Sequence, residues 1–423
     1  MYLGAIVLVH LLWADDLILM SDSVHGMQRL LDGLQRFCSK NRTIVNLLKT
    51  KCLLFGKLLN SGPISLTFDN NEVEIDTQYK YVGNIIKSIT RYGSDIFSNN
   101  YEYLCNQSVK AQFGLKAKLK VIGDIQPTVM VHLFESLIKP ILIYGSDVWG
   151  ASKPARTAVD TIFLRYVKNF LGVKTTTSTH IVHGEVGCLP PSTACVISVL
   201  RYANRVSHMH ENTIAKKVYC EFLRLHDLGF NNWYSDIFHL ANIYNLNITE
   251  DCVTFRTNCY RAVTECFIND WKTNLNDLDK NPILRLYKDI KCNFELEPYL
   301  ELVKEKKYRR AIAQIRCSSH VLQIERGRHT RPKTPREQRL CNTCGLVEDE
   351  YHFVINCPEN DLHRNILFTK IAQVDNAFYQ LHDNDKFLYL INSKQRTVLT
   401  WFGKFLHNAF KGKELSSYPN FPL

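Results

Sequence analysis

Apolar positions at the amino end fall into two short runs, residues 6–12 and 17–20, separated by Trp13-Ala14-Asp15-Asp16. Two apolar runs around a four-residue break predict a tight β-hairpin with two adjacent carboxylates at its tip. The period then changes. Val24, Met27, Leu30, Leu31, Leu34 and Phe37 recur at three- and four-residue steps, the spacing of one helix face, with Ser21, Asp22 or Ser23 available as the cap. Strand-like runs follow: a short strand ending at Val45-Asn46, residues 52–55 closed by Gly56, and residues 64–68 and 73–75 flanking the turn residues Asp69-Asn70-Asn71. Tyr79-Lys80-Tyr81-Val82-Gly83 opens a further hairpin. Farther along, Val199, Leu200, Ala203, Val206 and Met209 mark one amphipathic helix, and Phe222, Leu223, Leu225 and Leu228 another. The whole reads as an α+β chain, with antiparallel hairpins and one helix first and a mainly α-helical remainder.

Three stretches carry candidate chemistry. Asp15 and Asp16 offer hard oxygens that suit a cation such as Mg²⁺, and strand alternation would turn one carboxylate toward a site and the other toward the edge. Asp is also an ordinary turn residue, and for the pair taken alone a plain polar turn is the first account. Near the other end, Cys341-x2-Cys344-x7-His352-x4-Cys357 has ligand types and spacings that can close a tetrahedral Zn²⁺ site. Gly345 allows a tight knuckle turn after the first cysteine pair, and His352 can face the same ion as Cys357 if residues 353–356 are helical or bent. Four protein ligands leave no open position, so such a zinc would be structural. Before this motif, residues 304–339 carry Lys304, Lys306, Lys307, Arg309, Arg310, Arg316, Arg326, Arg328, Arg331, Lys333, Arg336 and Arg339 against Glu305, Glu325 and Glu337. Such a run favours phosphate backbones through Coulomb attraction and counterion release, the alternative being a solvated helix face and a basic linker. Pro332 and Pro335 make part of it extended.

Taken in order, the acidic hairpin, the amphipathic helix, Lys49-Thr50-Lys51 and Tyr81-Val82-Gly83 resemble the second half of the palm of a reverse transcriptase of the non-LTR (LINE-type) retrotransposon family. The likeness extends through most of the chain. Ile138-Lys139-Pro140 to Tyr144-Gly145 and Trp149-Gly150 is similar to that family's Pro-x-x-x-Tyr-Gly-x-x-x-Trp segment after the palm. Residues 163–171 with Gly172, then Glu185, Gly187 and Pro190, match a helical stretch and a Glu-x-Gly-x-x-Pro-like turn, and Cys341 to Cys357 matches a carboxyl-terminal Cys-Cys-His-Cys knuckle. The resemblance implies that Asp15, with Asp16 as the less demanding partner, joins a third Asp on a neighbouring strand to hold two Mg²⁺ ions. It places Lys49 or Lys51 near an incoming triphosphate and Tyr81, Val82 and Gly83 in the primer grip. Trp13 stands where Tyr or Phe is usual, beneath a primer end or in plain core packing. The parent activity is RNA-directed DNA synthesis, with an RNA template and a DNA primer or target as partners. The counterpart of the first metal-binding Asp, like the fingers, would precede Met1, so the expectation is an RNA-directed DNA polymerase fragment that is inactive alone. A non-catalytic zinc-knuckle nucleic-acid-binding remnant is the alternative.

The implied layout is a partial palm over 1–95, a helical thumb and connection over 96–185, an α-rich linker over 186–300, a basic linker over 301–340 and the knuckle with a helical tail over 341–423. Lys306, Lys307, Arg309, Arg310, Arg326, Arg328, Arg331 and Lys333 are the candidate backbone contacts. The 423 residues, 45% apolar, can fill packed cores, and a formal charge of +11 suits a polyanionic partner. Cys252, Cys259 and Cys266 repeat every seven residues, too far apart along a helix for one metal site, and read as small packing residues. No secretory leader is evident and no apolar run reaches about 18 residues, so the fourteen cysteines are expected reduced, the chain intracellular, in cytoplasm or nucleus, and no membrane a partner.

Overall fold

The computed structural model describes residues 2–3, 6–56, 64–89 and 95–417. Its amino-terminal part is built from two-stranded pairs, four antiparallel and one parallel among the described residues. His10–Trp13 pairs with Asp16–Leu19, Trp13 opposite Asp16, so the turn is Ala14-Asp15. Ala14 supplies the positive φ, 54°, at a cost of about 1 kcal/mol for a residue with a Cβ. Thr67–Phe68 and Asn71–Glu72 close through Asp69 and Asn70, both left-handed. These are the residue types that tolerate a two-residue hairpin turn. Gln78–Tyr81 and Asn84–Lys87 close through Val82 and Gly83 in the same way. The parallel pair joins Lys51–Leu53 to Glu74–Asp76.

The helix predicted after the acidic hairpin spans Val24–Asn41, and Ser23 is its cap, its Oγ accepting from the Gly26 N–H at 3.1 Å. Its inner face packs Leu31 against Leu66, Phe68 and Val73. The strand expected to end at Val45-Asn46 does not form. The N–H groups of Lys49 and Thr50 both turn back to the Asn46 carbonyl, and the Asn46 side chain accepts from Lys49 as well, so a local turn takes the hydrogen bonds a ladder would need.

From residue 98 onward the described chain is helical, which gives the α+β class expected. Contacts divide the chain into two compact units, one of residues 1–109, 140–160 and 191–264, the other of 110–139, 161–190 and 265–423. In the first, Pro191–Ser207, Trp233–Ile243 and the start of Cys252–Asn276 enclose Val199, Leu200, Ala203, Ile237, Leu240, Phe255 and Cys259. Cys259 is thus a packing residue as expected, whereas Cys252 is exposed and is not. No disulfide joins any of the fourteen cysteines. Among the described residues no single helix is long and apolar enough to cross a membrane.

A carboxylate is also built into the first unit. Asp160 Oδ1 accepts the N–H of Ser192 at 2.9 Å, at the start of Pro191–Ser207, and burial pushes its acid up to about 6. Because the folded value lies above the unfolded one, the contribution of Asp160 to stability is fully present below about pH 4 and is lost as pH rises through about 6. Asp160→Asn, which keeps an acceptor for Ser192, should therefore flatten the fall in urea midpoint between pH 4 and 7. An unchanged pH profile would show that Asp160 titrates normally.

In the second unit the aromatic residues Phe134 and Phe163 meet edge to face at 5.0 Å. Trp271 donates through Nε1 to the His180 carbonyl at 2.8 Å. Gly184 lies where a Cβ would come within 2.5 Å of the Tyr287 hydroxyl, so only glycine allows this approach. Lys306–Arg316 packs against Arg396–Ser417, with Gly403 set close beneath Tyr308.

Candidate metal centre

The knuckle starts from a short antiparallel bridge, Leu340 with Val347, inside which the Cys341 N–H donates to the Leu346 carbonyl at 2.7 Å. The chain reverses through Gly345, φ 71°, with open space where its Cβ would lie. The Gly345 N–H closes the turn onto the Cys341 carbonyl at 2.9 Å, which keeps Cys344 near Cys341. The other two ligand types come from an unusual turn. His352–Asn356 is a π-helical turn, and the Cys357 N–H closes it onto the His352 carbonyl at 2.8 Å. At 3.6 residues per α-helical turn, side chains five apart diverge; widening the turn to an i→i+5 bond brings positions 352 and 357 back to one side. Asp349 Oδ1 accepts the His352 N–H at 3.0 Å and fixes where the turn begins.

The result is a closed donor set. Cys341 Sγ lies 3.8 Å from Cys357 Sγ, Cys344 Sγ lies 3.3 Å from His352 Nε2, and all four ligand atoms fall within 4.8 Å of one another. With Zn–S near 2.3 Å and Zn–N near 2.0 Å, tetrahedral ligand atoms sit about 3.5–3.8 Å apart. Three thiols and one imidazole at these separations could hold zinc. Burial holds the His352 imidazole below its ordinary value, which favours the neutral ligand form. Burial also pushes the Cys357 thiol up to about 12. At Cys341 burial is outweighed by the N–H groups of Thr343 and Cys344 and by the Cys344 and Cys357 side chains, and the thiol is more acidic than usual. The turn is anchored from outside: Arg364 donates to the carbonyls of Val354, at 2.9 Å, and Cys357, and Lys413 pairs with Glu348 at 2.5 Å.

The acidic hairpin is a different case. Asp15 and Asp16 are exposed and Trp13 is 67% exposed, so Trp13 is not core packing here. Among the described residues the only group of three or more His, Cys, Asp or Glu side chains able to hold a metal is the knuckle quartet. Nothing comparable surrounds Asp15 and Asp16 among the described residues, and the Mg²⁺ expectation gains no support. Lys49 and Lys51 line a shallow cleft of about 350 Å³ with Tyr79 and Lys80, without Trp13 or either Asp, and Lys51 is paired with Glu74. Tyr81, Val82 and Gly83 form a hairpin tip capped by a neighbouring turn. Tyr144 donates to the Val82 carbonyl at 3.0 Å, and a Cβ on Gly83 would lie 2.7 Å from the Tyr144 ring. Trp149 in turn donates to the Tyr144 carbonyl at 3.0 Å, which gives the Tyr-Gly-x-x-x-Trp spacing a structural purpose.

No protein-family model matches the chain. It is similar to an uncharacterised transposon-derived protein of Caenorhabditis elegans. The two are 24% identical over 172 residues, 40% of this chain and 58% of the relative, so the chain matches under two thirds of that protein's length.

The basic stretch before the knuckle splits into inward and outward cations. Arg309 is 5% exposed, donates to both Asp124 oxygens at 2.8 Å and also to the Val303 carbonyl; it is committed internally and is not a phosphate contact. Arg328 pairs with Glu325, and Arg326 is half-buried with interactions of its own. Lys306, Lys307, Arg310, Arg331 and Lys333 are exposed. The segment from Arg331 to Pro335 is irregular, as its prolines predicted.

One polar cluster was missed. Arg316, fully buried, meets Glu185 at 3.1 Å and Glu297 at 2.6 Å; Tyr299 donates to Glu185 at 2.7 Å, and Lys291 pairs with Glu297. Two cations face two carboxylates, and burial raises Glu297 above its usual range. The signal was present at Glu185, a lone carboxylate in the apolar helix Thr179–Val186, because a buried charge requires a partner.

Proposed function

We propose that this chain derives from a non-LTR (LINE-type) retrotransposon reverse transcriptase and that its own activity is zinc-dependent nucleic-acid binding. The closed Cys341, Cys344, His352, Cys357 quartet carries the reading, together with the exposed Lys306, Lys307, Arg310, Arg331 and Lys333 of the stretch that precedes it. Supporting it are the order of the sequence motifs and the likeness to a transposon-derived protein. On this reading residues 1–95 are the palm remnant, 96–185 the thumb, 186–300 an α-rich linker, 301–340 the basic linker and 341–423 the knuckle module, and RNA template and DNA primer or target are the ancestral partners.

Zinc here orders the fold and has no open position for substrate. Two-metal phosphoryl transfer needs carboxylates converging on both reacting oxygens. Asp15 and Asp16 supply two exposed oxygen ligands on one turn, and no third carboxylate joins them among the described residues. Polymerase activity is therefore the second reading. Primer extension on an RNA template with Mg²⁺ separates the two. The expected result is no extension, with RNA and DNA bound equally well by the parent protein and by Asp15→Ala,Asp16→Ala. Extension that disappears in the double variant would establish the polymerase instead.

A further inference from the structure

Beside the helix that supports the knuckle lies a cavity of about 690 Å³, walled on one side by Lys306, Lys307 and Arg310 and on the other by His407, Phe410 and Lys411. Its charge is strongly unbalanced. Four cations, Lys306, Lys307, Arg310 and Lys411, face Glu305 and an Asp124 whose two oxygens are already held by Arg309. His407 and Lys411 lie outside the basic stretch of the sequence, and the fold brings them to it: Tyr308 and His407 meet edge to face at 5.9 Å where the two helices cross. A concentration of uncompensated positive charge in a concave site raises the local potential and selects anions.

From this we infer that the cavity is a phosphate-binding cleft for single-stranded nucleic acid. The inference rests on the nucleic-acid-binding reading and assigns it a place. Pockets of about 300–1,000 Å³ enclose ligands of drug size, room for the backbone of one strand and a nucleotide or so. A duplex, with a major groove alone about 12 Å wide, cannot enter. Arg310 can bond a phosphate bidentately while the lysines act as point charges. Half-buried His407 in the wall, with Phe410 beside it and Tyr308 packed edge to face behind, supplies aromatic surface, the usual companion of such a groove.

The cleft is also joined to the metal centre. Phe410, in the cleft wall, stacks on Phe353 at 5.1 Å and 13°, and Phe353 follows the ligand His352. Lys413, two residues after Lys411, reaches Glu348 beside the knuckle. Residues two apart on a helix point about 200° apart, so Arg396–Ser417 presents one face to the knuckle and the other to the strand. Loss of zinc should weaken strand binding although no cleft residue is a ligand.

The test is fluorescence anisotropy with a labelled single-stranded RNA and a DNA of the same sequence, titrated across salt concentrations on the full chain. Lys306→Glu,Lys411→Glu takes one cation from each wall, and Lys394→Glu,Arg396→Glu makes the same charge change at exposed positions outside the cleft. The cleft variant should keep its zinc and helicity, bind roughly tenfold or more weakly, and show a log–log salt slope shallower by about 1.4, two contacts at about 0.7 each. The control pair should stay near the parent in both. If the parent binds and the two variants behave alike, the cleft is wrong while the nucleic-acid reading stands. If the parent binds neither RNA nor DNA, both fail. Tighter binding of duplex than of single strand, or displacement of the strand by polyglutamate at equal charge, would overturn the assignment by showing a general polyanion surface.

Discussion

Cys341→Ser,Cys344→Ser should abolish the binding of one zinc per chain and unravel the knuckle. The reason lies in the local balance of forces. Segment 341–357 has a tight turn at Gly345, a two-residue bridge and one π-helical turn as its backbone order. Structural zinc sites contribute about 10–16 kcal/mol in small domains, far more than these few hydrogen bonds. The anchors Arg364 and Lys413 lie outside the ligand set; they grip Val354, Cys357 and Glu348 and leave the Cys341–Gly345 turn to the metal. Metal analysis should find one zinc in the parent and none in the variant, and limited proteolysis should cut near residues 341–357 only in the variant. The Asp160 carboxylate and its helix should be indifferent to the change. A parent protein that purifies without zinc and takes none up would contradict the assignment.

Arg316→Met should destabilise the second unit by about 3–5 kcal/mol, the usual cost of removing one partner from a buried ion pair. Arg316 also donates to the Ile391 carbonyl at 2.9 Å, so a further buried acceptor loses its partner. What remains is Glu185 and Glu297 with Lys291 alone, and the Glu297 carboxyl, already raised by burial, must rise further without the Arg316 charge. A raised folded value means stability present at low pH and lost as pH rises through it, so the defect should be larger at pH 8 than at pH 5. Adding Glu185→Gln should recover part of the loss, because it removes one stranded charge and leaves an acceptor for Tyr299. Urea denaturation of the single and double variants at both pH values reads this out. A change below about 0.5 kcal/mol, the range of ordinary surface substitutions, would show that the cluster is hydrated.

What could be read from the sequence was what is encoded locally. The acidic hairpin, the helix capped at Ser23 and the turns at Asp69-Asn70 and Val82-Gly83 depend on residues within a few positions of one another, and the four ligands of the knuckle all fall within 17 residues. The Val45-Asn46 strand failed because Asn46 offered its neighbours a turn, a competition that apolar periodicity does not register. The basic stretch was legible as charge but not as orientation. Whether Arg309 faced solvent depended on Asp124, 185 residues away in sequence, and the cleft needed Lys411 from the far end of the chain. Likewise the partners of Glu185 all lie more than a hundred residues from it: Arg316 through its guanidinium, Tyr299 through its hydroxyl, and Glu297 through a backbone N–H that donates to the Glu185 carbonyl at 3.0 Å. The Tyr144–Gly83 contact explains two separate motifs at once, yet neither motif names the other.

The proposed zinc-dependent binding of nucleic acid stands on the Cys-Cys-His-Cys quartet. Its most direct test is the affinity of the zinc-loaded protein for a labelled single-stranded RNA, measured before and after removal of the metal by a chelator and again after zinc is restored. Binding should be salt-sensitive, fall on chelation and return with zinc. Binding indifferent to the metal, or absent from the zinc-loaded protein, would contradict it.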